Sequence, residues 1–373
     1  MKKNKFLFCI GLLLTVATIV NAQSVTWISS TEGNVWQKSK VKLQSKSEQN
    51  PVLQVDGTEN GVAFKNWGTT FNELCWDALG LLTRTEQDEI LYNIFSPQGD
   101  LRITRGRISM GANDYARSWY SCDEVEGDFE LRYFNINRDK QTIIPFIRAA
   151  QKYNPNLTFW ISPWCPPSWM KINGDYPVLS SPFNSLSEKQ NYLLYGATGG
   201  QVDENEMKLT GARDGVFPRQ LATTDFMIQD PRYLQTYADY FCRFIDAYKE
   251  QGIPIDMVMY QNEAYSYTPY PGCAWTATDT IRFNKEYLAP TLKQMHPEVK
   301  LYLGTFNTNR QDHVETILAD TALCNCIRGM GFQWEGREIL PSINSIPNGN
   351  ISVRKANAVG VVLIGRRQNI HSS

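Results

Sequence analysis

Residues 231–263 read PRYLQTYADYFCRFIDAYKEQGIPIDMVMYQNE. From Tyr233 to Lys249 the apolar residues return every three or four positions, the period of an amphipathic helix. Gly252 marks where that helix stops. Ile255 to Gln261 is then a short apolar run of strand length, and it delivers Gln261, Asn262 and Glu263 to its far end. A helix feeding a buried strand that ends in polar residues is one unit of a parallel α/β fold.

The same grammar recurs in both directions from this stretch. Strands are expected at Leu101–Ile108, Leu157–Ser162, Val299–Thr305 and Ile327–Trp334, with a first one near Val62–Thr69. Helices are expected at Glu86–Phe95, Ile143–Tyr153, Thr280–Met295 and Val314–Leu323, the first of them opened by a capping box, Thr83-x-x-Glu86. Six strands with helices between them predict most of a (β/α)8 TIM barrel spanning residues 63–343. A doubly wound sheet would want a glycine-rich phosphate turn after its first strand, and neither GxGxxG nor GxxxxGK[ST] occurs. Residues 23–62 alternate polar and apolar in the two-residue period of strands, with Gly57 and Gly61 as turn points.

Composition bounds what such a fold could do. The chain of 373 residues is 42% hydrophobic, enough for a full core, and its formal net charge of −1 disfavours nucleic acid or an anionic membrane as partner. Lys2, Lys3 and Lys5 precede an apolar run to Val20 and the small-residue site Val20-Asn21-Ala22. That is the pattern of a cleavable export signal over residues 1–22, too short to span a bilayer. The expected mature protein is exported, periplasmic or extracellular, without stable membrane insertion. Eight cysteines include Cys9 in the leader, and the other seven form no CxxC pair. Cys324 and Cys326 are expected to be two buried thiols. The three histidines, 296, 313 and 371, are too scattered for a zinc site, so neither metal nor cofactor is expected.

Chemistry in a barrel sits past the C-terminal ends of the strands. There Glu263 offers a carboxylic acid, and Asn262 beside it an amide. A carboxyl can protonate a glycosidic oxygen, and an amide can bond the sugar 2-hydroxyl as charge develops. A plain surface Gln-Asn-Glu turn is the competing reading of the tripeptide alone. The preceding strand runs into Ser162-Pro-Trp-Cys-Pro-Pro-Ser-Trp-Met-Lys-Ile-Asn173, a stiff aromatic loop. Trp164 reads as a sugar platform, while Trp160 and Trp169 read as core. The strand before that ends Arg107-Ile-Ser-Met-Gly-Ala-Asn-Asp114-Tyr115, offering Arg107 and Asp114 to hydroxyls; Asp114 could equally cap a turn. The long connection from Pro163 to about Asp230 reads as a cleft wall.

Together these segments resemble glycoside hydrolase family 30, the group of glucosylceramidases, β-1,6-glucanases and related β-glycosidases. Four blocks carry the likeness: Trp67-Gly-Thr-Thr-Phe-Asn-Glu-Leu74, Gly106 to Tyr115, Ser162 to Asn173, and Gln261-Asn-Glu263. The resemblance implies a retaining mechanism on a TIM barrel joined to a β-sandwich, part of which residues 23–62 would supply. It implies Glu263 as acid/base, Asn262 as its companion, and Arg107, Asp114 and Trp164 around the sugar. Where the family shows a His-Trp-Tyr-like element, this chain reads Gln333-Trp334-Glu335. Trp334 is thereby expected to bind substrate, and the role of Glu335 is left open.

A retaining glycosidase needs a second carboxylate as nucleophile. The family places it after strand seven, but here residues 344–373 hold no Asp or Glu. Back-translating Ser345–Ser373 and reading two bases further on can give YPQWKYICSESECGWGSFDWKAAEHTF, an apolar strand followed by a Ser-Glu-Ser-Glu motif. A change of frame, or a sequencing error, between about Pro341 and Ser345 is therefore expected, with 344–373 a non-native tail that packs poorly. The nucleophile would then be absent from this chain, leaving two exposed parallel sheet edges. A nucleophile-less carbohydrate-binding barrel, or the product of a pseudogene, is the alternative. A serine hydrolase would need a GxSxG elbow that the sequence lacks.

Overall fold

The computed structural model describes residues 24–42, 67–182, 184–186, 225–307, 311–339 and 362–365. The export signal, the later part of the strand-like stretch 23–62, the middle of the long connection and most of the tail lie outside these residues. The chain divides into two units, residues 1–61 and 62–373.

In the first unit, β1 (Ser24–Thr31) and β2 (Asn34–Lys42) form an antiparallel hairpin. The two-residue turn uses Gly33 at φ +78°, a conformation glycine adopts without strain. Trp27 and Trp36 are exposed.

In the second unit six parallel strands curl into a half-barrel: β3 (Gly68–Phe71), β4 (Arg105–Ser109), β5 (Thr158–Ser162), β6 (Ile255–Met259), β7 (Lys300–Phe306) and β8 (Gly329–Phe332). The last five lie within four residues of their expected starts, because buried parallel strands read as plain apolar runs, whereas β3 starts at Gly68, later than the expected Val62. Alternation along the strands sorts the residues. Gly106, Ile108, Phe159 and Ile161 lie on one face, in the apolar core that also holds Phe146 and Ile147 of helix α3 (Ile143–Gln151). Arg107 and Trp160 fall on the other. Gly106 has no room for a side chain, since a Cβ there would meet Phe71 Cε2 at 2.5 Å and Phe159 Cδ1 at 2.8 Å.

Between the strands run α1 (Glu73–Gly80), α2 (Arg84–Phe95), α3, then α4 (Pro231–Glu250). The Thr83 capping box is present. Helix α1 has no counterpart among the expected elements. It is only eight residues long, begun by Asn72 accepting the Cys75 N–H at 2.9 Å. The expected helix Thr280–Met295 is α5 (Ala277–Arg282), a π-type turn (Phe283–Leu288) and α6 (Ala289–Met295). The expected Val314–Leu323 helix is two, α7 (Gln311–Ala319) and α8 (Thr321–Cys326), split where the Asp320 carboxylate caps the second by accepting the Leu323 N–H at 2.8 Å. Cys324 is buried but Cys326 is exposed, against expectation. Residues two apart on a helix sit on opposite sides, so α8 buries only one of them. All seven cysteines after Cys9 are free thiols. No helix among the described residues is long and apolar enough to cross a membrane.

One expected edge is not open. Val362–Gly365 forms β9, which pairs antiparallel with β8, Phe332 facing Val362 and Gly329 facing Gly365. The unpaired N–H and C=O groups of a strand edge accept any extended segment with hydrogen-bonding backbone, whatever its direction.

Candidate active site

The C-terminal ends of β4 to β8 bring the expected residues together. Arg107, on β4, is buried, and its fork reaches two neighbouring strands. Nε and Nη2 donate to Ser162 Oγ of β5 at 3.1 and 2.8 Å, and Nη2 donates to Asn262 Oδ1 beyond β6 at 2.7 Å. The guanidinium lies over Trp164, 4.1 Å from its ring centroid, with Trp160 at 4.8 Å. Burial pulls its pKa down to about 9, against the upward pull of the Glu263 and Asp114 carboxylates, so it stays charged at neutral pH.

Trp164 departs from the sequence expectation. It was expected open, as a platform, but it is 6% exposed, because the Arg107 guanidinium covers one ring face. Trp160 and Trp169 are buried as expected, the latter against Phe129 and Tyr233. The loop carrying Trp164 is held from within. Lys171 is buried, and its ammonium donates to the carbonyls of Asp175, Tyr176 and Pro177 at 2.6, 2.7 and 3.1 Å. A bridge between Lys171 and Met227 joins the two ends of the long connection. Gln261 ties this loop to β6, its Nε2 donating to the Trp164 carbonyl at 2.7 Å.

Asn262 is buried and oriented without ambiguity. Its Oδ1 accepts from Arg107, which can only donate, and from Thr305 Oγ1 at 3.3 Å. Its Nδ2 has no hydrogen-bond partner among the described residues and is left to a ligand. Glu263 follows in the left-handed region, at φ +49°, a conformation that costs a residue with a side chain about 1–3 kcal/mol. Its N–H donates to Thr305 Oγ1 at 3.1 Å. The half-buried carboxylate is held at both oxygens. Oε1 accepts from Gln333 Nε2 at 2.6 Å and Trp334 Nε1 at 2.7 Å, and Oε2 from Ser266 Oγ at 3.2 Å. Trp334 is itself at φ +49° and 61% exposed, which leaves indole surface open beside Glu263.

Asp114 is exposed yet sits among enough protein atoms to raise its pKa to about 6. Desolvation leads, the Glu263 charge adds, and the Trp164 indole and Arg107 pull it back. Tyr270 shares the field of both carboxylates, which, with burial as the larger cause, pushes its phenol up. All six residues singled out in the sequence thus belong to one constellation. Sequence reading missed Ser162, Ser266, Thr305 and Gln333. Ser162, Thr305 and Gln333 stand at or just past strand ends, so the rule that sites gather at the strand mouths could have found them. The Glu335 side chain lies outside the described residues. Among those described, no group of His, Cys, Asp and Glu is arranged to hold a metal ion.

Comparison with known proteins puts this constellation in context. Residues 64–181 match the model of the glycosyl hydrolase family 30 TIM-barrel domain. The chain is 26% identical over 346 residues to putative glucosylceramidase 3 of Caenorhabditis elegans, covering 88% of this chain and 56% of that protein. It is 24% identical over 278 residues to endo-1,6-β-D-glucanase neg1 of Aspergillus fumigatus, covering 73% of this chain and 50% of that one. Among solved structures, the endo-β1,6-glucanase BT3312 superposes with a TM-score of 0.62 at 20% identity, over 87% of this chain and 63% of that one. SrfJ from Salmonella typhimurium gives 0.61 at 19% identity, over 86% and 63%. The chain spans about half the length of the curated relatives it matches.

Proposed function

The chain belongs to glycoside hydrolase family 30, and from that premise we propose that it stems from an exported β-glycosidase working by double displacement, with Glu263 as acid and then base. One observation carries the assignment. Asn262 turns its oxygen to Arg107 and Thr305, which frees its Nδ2 to donate, immediately beside a carboxyl held at the strand mouth. An amide beside a carboxylic acid suits a sugar whose 2-hydroxyl hydrogen bonds strengthen in the transition state while its glycosidic oxygen gains negative charge and needs a proton.

In this reading the Glu263 carboxyl protonates the leaving oxygen, and the departing group takes the proton while Glu263 keeps the electron pair. The carboxylate later removes a proton from the water that attacks the glycosyl-enzyme. Asp114 faces the sugar, Arg107 and Trp164 support the subsite from beneath by holding Asn262 in place, and the open indole of Trp334 packs on the sugar or on the leaving group. The names of the relatives, glucosylceramidases and 1,6-glucanases, favour a β-glucoside. In this reading the nucleophile comes from the frame two bases on from Ser345.

Resequencing the codons from Pro341 to Ser373 and expressing both frames tests this. The shifted frame should hydrolyse an aryl β-glucoside and release the β-anomer first, as proton NMR of the product reports. Release of the α-anomer first would exclude double displacement. A restored chain that binds sugar and hydrolyses nothing would be a carbohydrate-binding barrel instead.

A further inference from the structure

Hydrogen-bond donors around Glu263 are distributed unequally, and this decides where its proton sits. The orientations follow from groups that have no choice. Arg107 cannot accept, so the atom of Asn262 at 2.7 Å from it is oxygen. The Gln333 amide lies 3.5 Å from that same oxygen, so it presents its nitrogen. That nitrogen is 2.6 Å from Glu263 Oε1. The Trp334 indole nitrogen, 2.7 Å from Oε1, carries a hydrogen and can only donate. Two fixed N–H groups therefore occupy both lone pairs of Oε1. At Oε2 the neighbour is the Ser266 hydroxyl, at 3.2 Å, which donates to a carboxylate or accepts from a carboxylic acid. Ser266 is buried, and its Oγ also accepts from Asn307 Nδ2.

We propose that Gln333 and Trp334 keep Glu263 Oε1 permanently unprotonated, so that the acid's proton resides on Oε2, shared with Ser266 until it is transferred. The inference rests on Glu263 being the acid/base and specifies which of its atoms acts. In the first step the Oε2–H bond breaks, the proton passes to the glycosidic oxygen, and the electron pair stays on Oε2. In the second step the same Oε2 takes a proton from the attacking water. Gln333, Trp334 and Ser266 are positioning residues, and the leaving oxygen must approach on the Ser266 side of the carboxyl. The amide at position 333 suits this role because it donates at any pH.

The Trp334 indole N–H reports on this directly, in the chain as it exists and without turnover. Its 15N–1H resonance is assigned by its loss in Trp334→Phe, and its exchange with D2O is followed across an acid titration. The resonance should move as Glu263 takes up its proton, and that movement should vanish in Glu263→Gln. The N–H should remain protected below the titration, because Oε1 still accepts from it when Oε2 is protonated. In Ser266→Ala the protection should persist, whereas Gln333→Leu opens a lone pair on Oε1 and should lose it on acidification. Loss of protection in the wild type at low pH would place the proton on Oε1 and overturn the proposal. A resonance that moves equally in Glu263→Gln would mean that the indole does not bond this carboxyl, and would overturn it as well. Neither result bears on whether Glu263 is the acid/base, which the kinetics of Glu263→Gln decide separately.

Discussion

Glu263→Gln in the frame-restored protein isolates the proton from everything else the carboxyl does. The amide oxygen can take the place of Oε1 and accept from Gln333 and Trp334, while the amide nitrogen donates to Ser266 Oγ, whose hydroxyl can accept. All the polar neighbours stay satisfied, so the fold is retained and only acid–base function is removed. A general acid or base contributes about 10²–10⁴-fold, or roughly 3–5.5 kcal/mol of barrier. The loss should appear in full with an alkyl β-glucoside, whose leaving group needs a proton. An activated aryl glucoside should form its glycosyl-enzyme with little loss and then stall, because water lacks a base. Azide needs no base, so adding it should restart turnover and give the β-glycosyl azide, identified by NMR. Near-normal hydrolysis of the alkyl glucoside by the variant would refute the role of Glu263. An α-glycosyl azide would show that the residue removed was the nucleophile.

Gly106→Ala should cost about 1–3 kcal/mol, because its methyl overlaps Phe71 and Phe159 in the core; urea unfolding should show a lower midpoint at unchanged slope, and a change under about 0.5 kcal/mol would contradict the packing. Asn262→Ala should slow hydrolysis of an ordinary β-glucoside roughly tenfold or more by removing a hydrogen bond to the 2-hydroxyl that strengthens in the transition state. It should affect the 2-deoxy substrate little, and an equal loss on both would remove the 2-hydroxyl from the argument. Asp139 is fully buried, and desolvation raises its pKa from 3.8 to about 6 against the pull of the Tyr248 and Tyr120 hydroxyls and Arg138, with the Glu73 charge adding to the rise. Folded protein therefore holds a proton there that the unfolded chain has released between those values, so the group's contribution is fullest at low pH and is lost as pH rises through about 6. Asp139→Asn should flatten the stability profile over that window by up to about 3 kcal/mol; urea unfolding at several pH values checks it, and an unchanged slope would refute it.

The sequence disclosed the strands and the residues they deliver, because both depend on local order. An apolar run of strand length followed by Gln-Asn-Glu places Asn262 and Glu263 at a strand mouth whatever the neighbours do. What it did not disclose depends on cross-strand neighbours or on backbone conformation. Trp164 looked like a platform, and only the approach of Arg107 from β4 covers its ring. Gln333 and Trp334 reach Glu263 through left-handed backbone at both Glu263 and Trp334, for which neither residue type gives a signal. The burial of Cys324 but not Cys326 follows from helix phase, legible only once α8 is seen to reach residue 326.

Strand direction separates covering a sheet edge from completing a catalytic rim. Every parallel strand of the half-barrel presents its C-terminal end at the rim that carries Arg107, Glu263 and Gln333. A further parallel strand beside β8 would do the same, and a carboxylate just past its end would stand beside Gln333, near Glu263. β9 satisfies the backbone of β8 as a parallel neighbour would, but it runs the other way, so Val362 lies at the catalytic rim and Gly365 at the opposite end. Val362–Gly365 can therefore relieve the open edge without offering a nucleophile from its C-terminal end. The arrangement around Glu263 does not depend on it, because the partners that orient Asn262 and Glu263 come from β4, β7 and the segments just past β6 and β8.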